Sequence, residues 1–280
     1  MVLRTRLGPQ ADIQTVGYGE TVRINGVQVS FHPAGHILGS SQIRVEHGGQ
    51  VWVVSGDYKT EPDPTCTAFE PVRCQVFITE STFGLPIYRW SPQTETLGDM
   101  VEWWTRNRDN GRASVIFAYA LGKAQRVIRL LREAGWDRTI FVHGALERLN
   151  ALYERHGVDL GPLEPATTSA KKQDFAGQIV IAPPSATQDR WSRRFPDPVL
   201  AFASGWMQVR ARARQRGVEL PLVISDHADW DELTATVDEL RPGELWITHG
   251  REEALARWAE LHGVPARALA LVGYEEEDDD

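Results

Sequence analysis

Cysteine is nearly absent from this 280-residue sequence, which carries only Cys66 and Cys74. Their spacing is not that of a zinc knuckle, and two cysteines cannot make a disulfide framework, so free thiols in a reducing cytoplasm are expected. Long apolar runs are missing as well: no stretch reaches the roughly 18 residues of a membrane-spanning helix, so no membrane partner is expected. Met1 to Pro9 holds two arginines and no apolar core of the signal-peptide kind. No internal repeat is visible. An excess of one charge is lacking too, once the end of the chain is set aside. The formal net charge is −8, yet six acidic residues fill Glu275 to Asp280, which leaves 30 basic residues against 32 acidic ones in the body. The acidic run reads as a solvated tail. A near-neutral body neither demands nor excludes a nucleic-acid partner, so local clusters must decide.

What is present has two periodicities. From Thr21 to Val54 the pattern is β: Thr21 to Ile24 alternates, Asn25-Gly26 is a favoured tight-turn dipeptide, and Val27 to Phe31 alternates again. Gln42 to Glu46 and Val51 to Val54 flank His47-Gly48-Gly49 as a second hairpin. This run predicts one leaf of a β-rich sandwich. After Pro92 the pattern changes. Gln93 to Arg108 reads as a helix with Leu97, Val101 and Trp104 on one face, followed by the strand Ser114 to Ala118 and the helix Gly122 to Glu133. Thr139 to Val142 (strand), Ala145 to Arg155 (helix) and Gln178 to Ile181 (strand) continue the alternation, which predicts a doubly wound parallel sheet. Gly157 to Gln173 reads as a loop. Leu222 to Ile224 and Leu245 to Ile247 read as strands, and Glu252 to Leu261 as a final helix.

Chemistry-bearing residues stand where apolar runs end. Val27 to Phe31 leads to Pro33-Ala34-Gly35-His36, Val51 to Val54 to Ser55-Gly56-Asp57, and Val76 to Ile78 to Thr79-Glu80-Ser81-Thr82. Leu222 to Ile224 leads to Ser225-Asp226-His227-Ala228-Asp229, and Leu245 to Ile247 to Thr248-His249-Gly250. A single histidine at such a place is more often structural. Three of them beside Asp57 and Glu80 favour a site, because imidazole plus carboxylate is the ligand set of hydrolytic zinc or manganese centres. His32, His47, His156 and His262 sit in strand, turn or helix-end settings where a structural role is the better reading, and His143 is open between the two. Arg190, Arg193 and Arg194 surround Trp191 and Phe195, and Arg210, Arg212, Arg214 and Arg216 form a second basic group. Basic residues near aromatics suit phosphate contacts and base stacking; the alternative is a solvated helix face.

These motifs resemble the metallo-β-lactamase-fold nucleases that carry a β-CASP insert. The likeness runs through Pro33-Ala34-Gly35-His36, Ser55-Gly56-Asp57-Tyr58, Thr79-Glu80-Ser81-Thr82-Phe83-Gly84, Phe117 to Gln125, Ser225 to Asp229 and Trp246 to Gly250. With Ala203-Ser204-Gly205-Trp206-Met207 included, the pattern is most similar to the bacterial ligase-associated DNA exonucleases. The resemblance implies an α/β fold, an αββα sandwich interrupted by an α/β insert. Residues 1–88 would be the first lactamase-like segment, 89–216 the insert, 217–274 the return segment and 275–280 the tail. It implies two divalent metal ions, zinc or manganese, with His36, Asp57 and His249 as ligands. His227 would act on the scissile phosphate or the leaving oxygen, Glu80 would orient it, and Arg193 and Arg194 would contact nucleic acid. The implied function is exonucleolytic hydrolysis of DNA in repair, beside an ATP-dependent DNA ligase. An RNA-processing nuclease of the same fold and a non-catalytic nucleic-acid-binding subunit are the alternatives. A small-molecule hydrolase would have no evident use for the insert. The family's His-x-His-x-Asp-His loop does not occur in the sequence. The expectation is therefore a chain truncated at its N-terminus, with an incomplete site, weak metal binding and little hydrolysis.

Overall fold

A computed structural model describes residues 2–8, 10–167, 175–187, 191, 194, 195 and 197–269. The chain divides into two compact units: residues 10–89 with 226–280, and residues 1–9 with 90–225.

The first unit is built on a seven-stranded sheet. Its strands are β1 (Thr21–Ile24), β2 (Val27–Pro33), β3 (Ser41–His47), β4 (Gln50–Val54) and β5 (Val76–Ser81), joined by β12 (Glu244–Gly250) and β13 (Ala266–Ala268). The sheet order is β1-β2-β3-β4-β5-β12-β13. Strands β1 to β4 pair antiparallel, as the alternating hairpin pattern predicts. Asn25 and Gly26, at φ +50° and +85°, close the first hairpin in the left-handed region that matches the twist of the flanking strands. From β4 onward the pairing is parallel. Helices α6 (Trp230–Leu240) and α7 (Glu252–Leu261) contribute Trp230, Leu233, Val237, Leu240, Leu255 and Ala259 to one core with Val53, Phe77, Leu245 and Ile247 of the sheet. Each fully buried leucine, isoleucine, valine or phenylalanine among them contributes about 1.5–3 kcal/mol. Trp230, Leu233, Thr234 and Val237 follow the i, i+3, i+4, i+7 spacing of a one-faced helix.

The second unit holds a six-stranded, all-parallel sheet in the order β11-β10-β6-β9-β7-β8. The strands are β6 (Ser114–Phe117), β7 (Ile140–Val142), β8 (Leu163–Pro165), β9 (Ile179–Ala182), β10 (Val199–Ala203) and β11 (Leu220–Leu222). Every residue of β6, β7 and β9 is buried, the signature of a parallel strand covered on both faces. Its prolines stand on the edge strands, Pro165 on β8 and Pro221 on β11, where a missing N–H costs no ladder bond. Helices α1 (Val2–Leu7), α2 (Gln93–Asp109), α3 (Lys123–Glu133), α4 (Gly144–Arg155) and α5 (Arg210–Arg216) belong to this unit.

Three expectations need correction. The buried face of α2 is Met100, Trp103, Trp104 and Asn107, while Val101 is exposed, so the helix is rotated from the predicted Leu97-Val101-Trp104 stripe. Two large indole rings set that rotation by the apolar area they bury. The expected loop at 157–173 contains β8, a three-residue edge strand too short for periodicity to reveal. The last strand of this unit is Leu220–Leu222 rather than Leu222–Ile224, because β11 pairs in register with Ala201–Ala203. Cys74 is buried and Cys66 half-buried, and neither is in a disulfide. Among the described residues no helix is long and apolar enough to cross a membrane.

Candidate active site

The expected residues meet at the strand ends of the first unit. His36 lies in the turn after β2. Gly35 makes that turn at φ +71°, and a β-carbon there would sit 2.1 Å from the Lys59 carbonyl oxygen, so only glycine lets the two backbones approach. The Ser40 hydroxyl oxygen accepts from the His36 and Ile37 N–H groups, each at 3.2 Å. The His36 ring is held by its Nδ1, 2.8 Å from the Asp226 carbonyl oxygen. A carbonyl can only accept, so Nδ1 carries the proton and Nε2 is left with a lone pair. That Nε2 is 3.8 Å from Asp57 Oδ2.

Asp57 follows β4 through Ser55, whose N–H continues the ladder to Ile78, and Gly56 at φ +57°. Its carboxylate is 42% exposed, open to a ligand. Glu80 differs: on β5 it is 2% exposed. Its Oε1 accepts from the Tyr58 N–H at 2.8 Å, its Oε2 from the Thr82 hydroxyl, and the two oxygens are 3.1 and 3.0 Å from His227 Nδ1. Burial alone would lower the His227 pKa. The charge and hydrogen bond of Glu80 more than reverse this, helped by Asp226 and Asp57, and place it at about 9. Burial likewise works to raise Glu80, but His227, Thr82 and the Tyr58 N–H win and hold it below the usual carboxylate range. The two therefore form an ion pair, with Glu80 buried and His227 half-buried.

His227 and His36 meet edge to face with ring centroids 4.7 Å apart. One ligand atom from each of His36, Asp57 and His227 lies within 4.8 Å of the others. His36, locked through Nδ1 by a carbonyl, and the exposed Asp57 carboxylate beside it are donors that fit a divalent cation such as zinc, whereas His227, held protonated by Glu80, stands beside them as a proton carrier. His249 is not a member of that group. It stands exposed at the end of β12, with φ +57°, an uncommon conformation for a residue other than glycine. Gly250 follows at φ +119°, where a β-carbon would come 2.3 Å from the Ser81 carbonyl oxygen, and the β5–β12 register shifts there. The Ser81 hydroxyl donates to the His249 carbonyl at 3.2 Å.

His143, open on sequence grounds, accepts the Ala145 N–H on Nδ1 and caps α4. Arg193 and Arg190 lie outside the described residues. Arg194 is exposed and holds its guanidinium 5.7 Å from the Trp191 ring. On α5, Arg210, Arg212, Arg214 and Arg216 are exposed, with Arg212 over Trp206 at 4.2 Å and Arg216 over Phe202 at 4.9 Å. Sequence reasoning missed Glu232, whose carboxylate ties the chain after Asp57 to the start of α6. Its signal was legible: Asp229-Trp230-Asp231-Glu232 has the capping-box spacing of a helix start.

No family model matches the chain. It is 27% identical over 270 residues to a probable DNA ligase of Opitutus terrae, covering 96% of the chain and 26% of the ligase. It is 31% identical over 267 residues to endoribonuclease YSH1 of Yarrowia lipolytica, 95% of the chain and 28% of that protein. Over 123 residues it is 31% identical to endoribonuclease YSH1 of Saccharomyces cerevisiae, 43% of the chain and 16% of the relative. The chain thus spans about a quarter of the length of the first two relatives. A crystal structure of a protein of unknown function from Enterococcus faecalis shares the fold, with a TM-score of 0.62 at 12% identity over 94% of this chain and 67% of that one. Fold and site are those of a mixed α/β protein with a histidine–carboxylate centre at its strand ends. These relatives support the likeness of the chain to the metallo-β-lactamase-fold β-CASP nucleases.

Proposed function

We propose that the chain is a metal-dependent phosphodiesterase acting on nucleic acid, and specifically a DNA exonuclease that works in repair beside an ATP-dependent DNA ligase. The observation that carries the reading is the meeting of His36, Asp57 and His227 over the buried Glu80. In this reading residues 1–88 and 217–274 form the lactamase-like part, and residues 89–216 the β-CASP insert. His36 and Asp57, with His249, would hold divalent ions, zinc or manganese. Such ions, when bound, supply a water acidic enough to attack phosphorus and positive charge for the displaced oxygen. The remaining work falls to the chain itself. Glu80 holds His227 through Nδ1, which leaves Nε2 as the atom that meets the phosphate or gives its proton to the leaving oxygen. The exposed Asp57 carboxylate leaves the cluster open on the substrate side, as a catalytic rather than structural centre requires. Arg194 and the exposed arginines of α5, with Arg193, would bind the phosphate backbone. A small set of protein ligands holds an ion loosely, so slow turnover is expected.

The likeness to a probable DNA ligase supports the DNA and ligase link. The likeness to endoribonucleases supports a second reading, an RNA-processing nuclease using the same residues. End-labelled single- and double-stranded DNA and RNA, incubated with zinc or manganese, decide between them. Stepwise shortening of DNA, lost in His227→Ala, is the expected result. Internal cuts in RNA alone would select the second reading, and intact DNA and RNA under every condition would sink both.

A further inference from the structure

We propose that Glu232 is a positioning residue that sets the spacing between Asp57 and His227; this rests on the reading of His36 and Asp57 as ion ligands with His227 acting beside them. These two groups come from segments about 170 residues apart in sequence, each at the irregular end of an element, so something must hold them in register. One carboxylate spans the gap. Glu232 Oε1 accepts from the Thr60 N–H at 2.9 Å, the Thr60 hydroxyl at 2.6 Å and the Glu61 N–H at 2.6 Å. Its Oε2 accepts from the Asp229 N–H at 3.2 Å, at the start of the helix that follows His227. Lys59, 1% exposed, brings its ammonium 4.0 Å from Oε2 and 2.5 Å from Glu61 Oε2, so one buried positive charge offsets part of the charge of the two carboxylates. A second tie runs beside it, from the Ala228 N–H to the Tyr58 carbonyl at 2.6 Å. The Tyr58 N–H in turn ends on Glu80, the partner of His227. Glu232 therefore closes a ring of charge-assisted hydrogen bonds whose other members are the site's own backbone.

The competing account is that Glu232 serves α6 alone, as the third residue of its capping box. Glu232→Gln separates the two. Its amide oxygen can still accept the three donors of Thr60 and Glu61, but its NH2 cannot accept from Asp229. Cobalt(II), whose visible absorption reports both affinity and ligand geometry, is titrated into the full chain carrying Glu232→Ala, Glu232→Gln or Val237→Ala. Amide exchange is followed in parallel on the metal-free proteins. Glu232→Ala is expected to weaken cobalt binding on the order of tenfold, to alter the absorption band, and to speed exchange at Ala228 and Tyr58 while β3 and β4 stay protected. Glu232→Gln is expected to stay near the parent in all three. Val237→Ala, a buried change on α6, is expected to lower the melting temperature without changing cobalt affinity. Parent-like binding and exchange in Glu232→Ala, or a Gln variant as impaired as the Ala variant, would overturn the proposal. A parent protein that binds no cobalt refutes the ion site instead, and the exchange rates at Ala228 and Tyr58 then decide the positioning role alone.

Discussion

The two units treat charge in opposite ways. In the unit of the seven-stranded sheet, Glu80, Lys59, Asp226 and Asp229 are buried at element ends and tied into pairs and caps. In the unit of the parallel sheet, Lys123 and Arg126 are buried near the start of α3, yet α5 turns four arginines to solvent and lays two of them on aromatic rings. Buried charge is costly and persists only when paired, so it holds its neighbours in one geometry. Exposed charge costs little and stays available to a polyanion. On the proposed function, the first unit would carry the chemistry and the second would supply nucleic-acid contacts.

The largest test of this contrast is Glu80→Gln. Removing the buried partner of this pair should cost about 2–3 kcal/mol in denaturant unfolding and slow DNA hydrolysis roughly 10²- to 10⁴-fold. The same pair shapes the pH dependence of stability in chelator-treated protein. His227, raised from 6.5 to about 9, contributes fully below 6.5 and is lost as pH rises through about 9. Glu80, lowered from 4.5, contributes above that value and is lost as pH falls. Stability should therefore be highest between about pH 4.5 and 6.5 and decline on both sides, and the alkaline decline should flatten in Glu80→Gln. An unchanged alkaline limb in the variant would contradict the ion pair.

Gly250→Ala comes next. A β-carbon 2.3 Å from the Ser81 carbonyl oxygen, at φ +119°, should cost about 1–3 kcal/mol, with loss of activity as β12 shifts His249. A stable, active Gly250→Ala would show that the site tolerates movement there. On the other unit, replacing Arg210 and Arg214 by Gln should leave folding intact, since both are exposed. It should reduce the slope of log K against log salt for single-stranded DNA by roughly 1–1.5. An unaltered slope would remove α5 from the binding surface. The smallest effect concerns the two thiols. Burial pushes Cys74 up to about 11, so a thiol reagent at pH 8 should label the half-buried Cys66 well before it.

Much of this was legible beforehand. Alternation with Asn25-Gly26 and Gly48-Gly49 announced β1 to β4, and continuous apolar runs announced β6, β7 and β9. The strand ends that carry His36, Asp57, Glu80 and His249 were readable because a buried strand must stop in polar residues and glycine. Short edge strands such as β8 and β13 were not, since three residues hold no period. Helix α6 escaped although Asp229 and Glu232 spell its cap, because an apolar spacing mixed with threonines blurs the stripe.

The sequence by itself determined the residue types, their places at strand ends and the change of periodicity after Pro92. Those are local properties, set by backbone preference and by which side chains must leave water. Only the tertiary structure decided which groups meet. His227 finds Glu80 147 positions away, His36 finds Asp226 190 away, and Thr60 finds Glu232 172 away. No local pattern encodes those pairings, because they follow from two sheet strands and a helix start being brought together by burial of a common core, which then leaves buried polar groups only one another as partners.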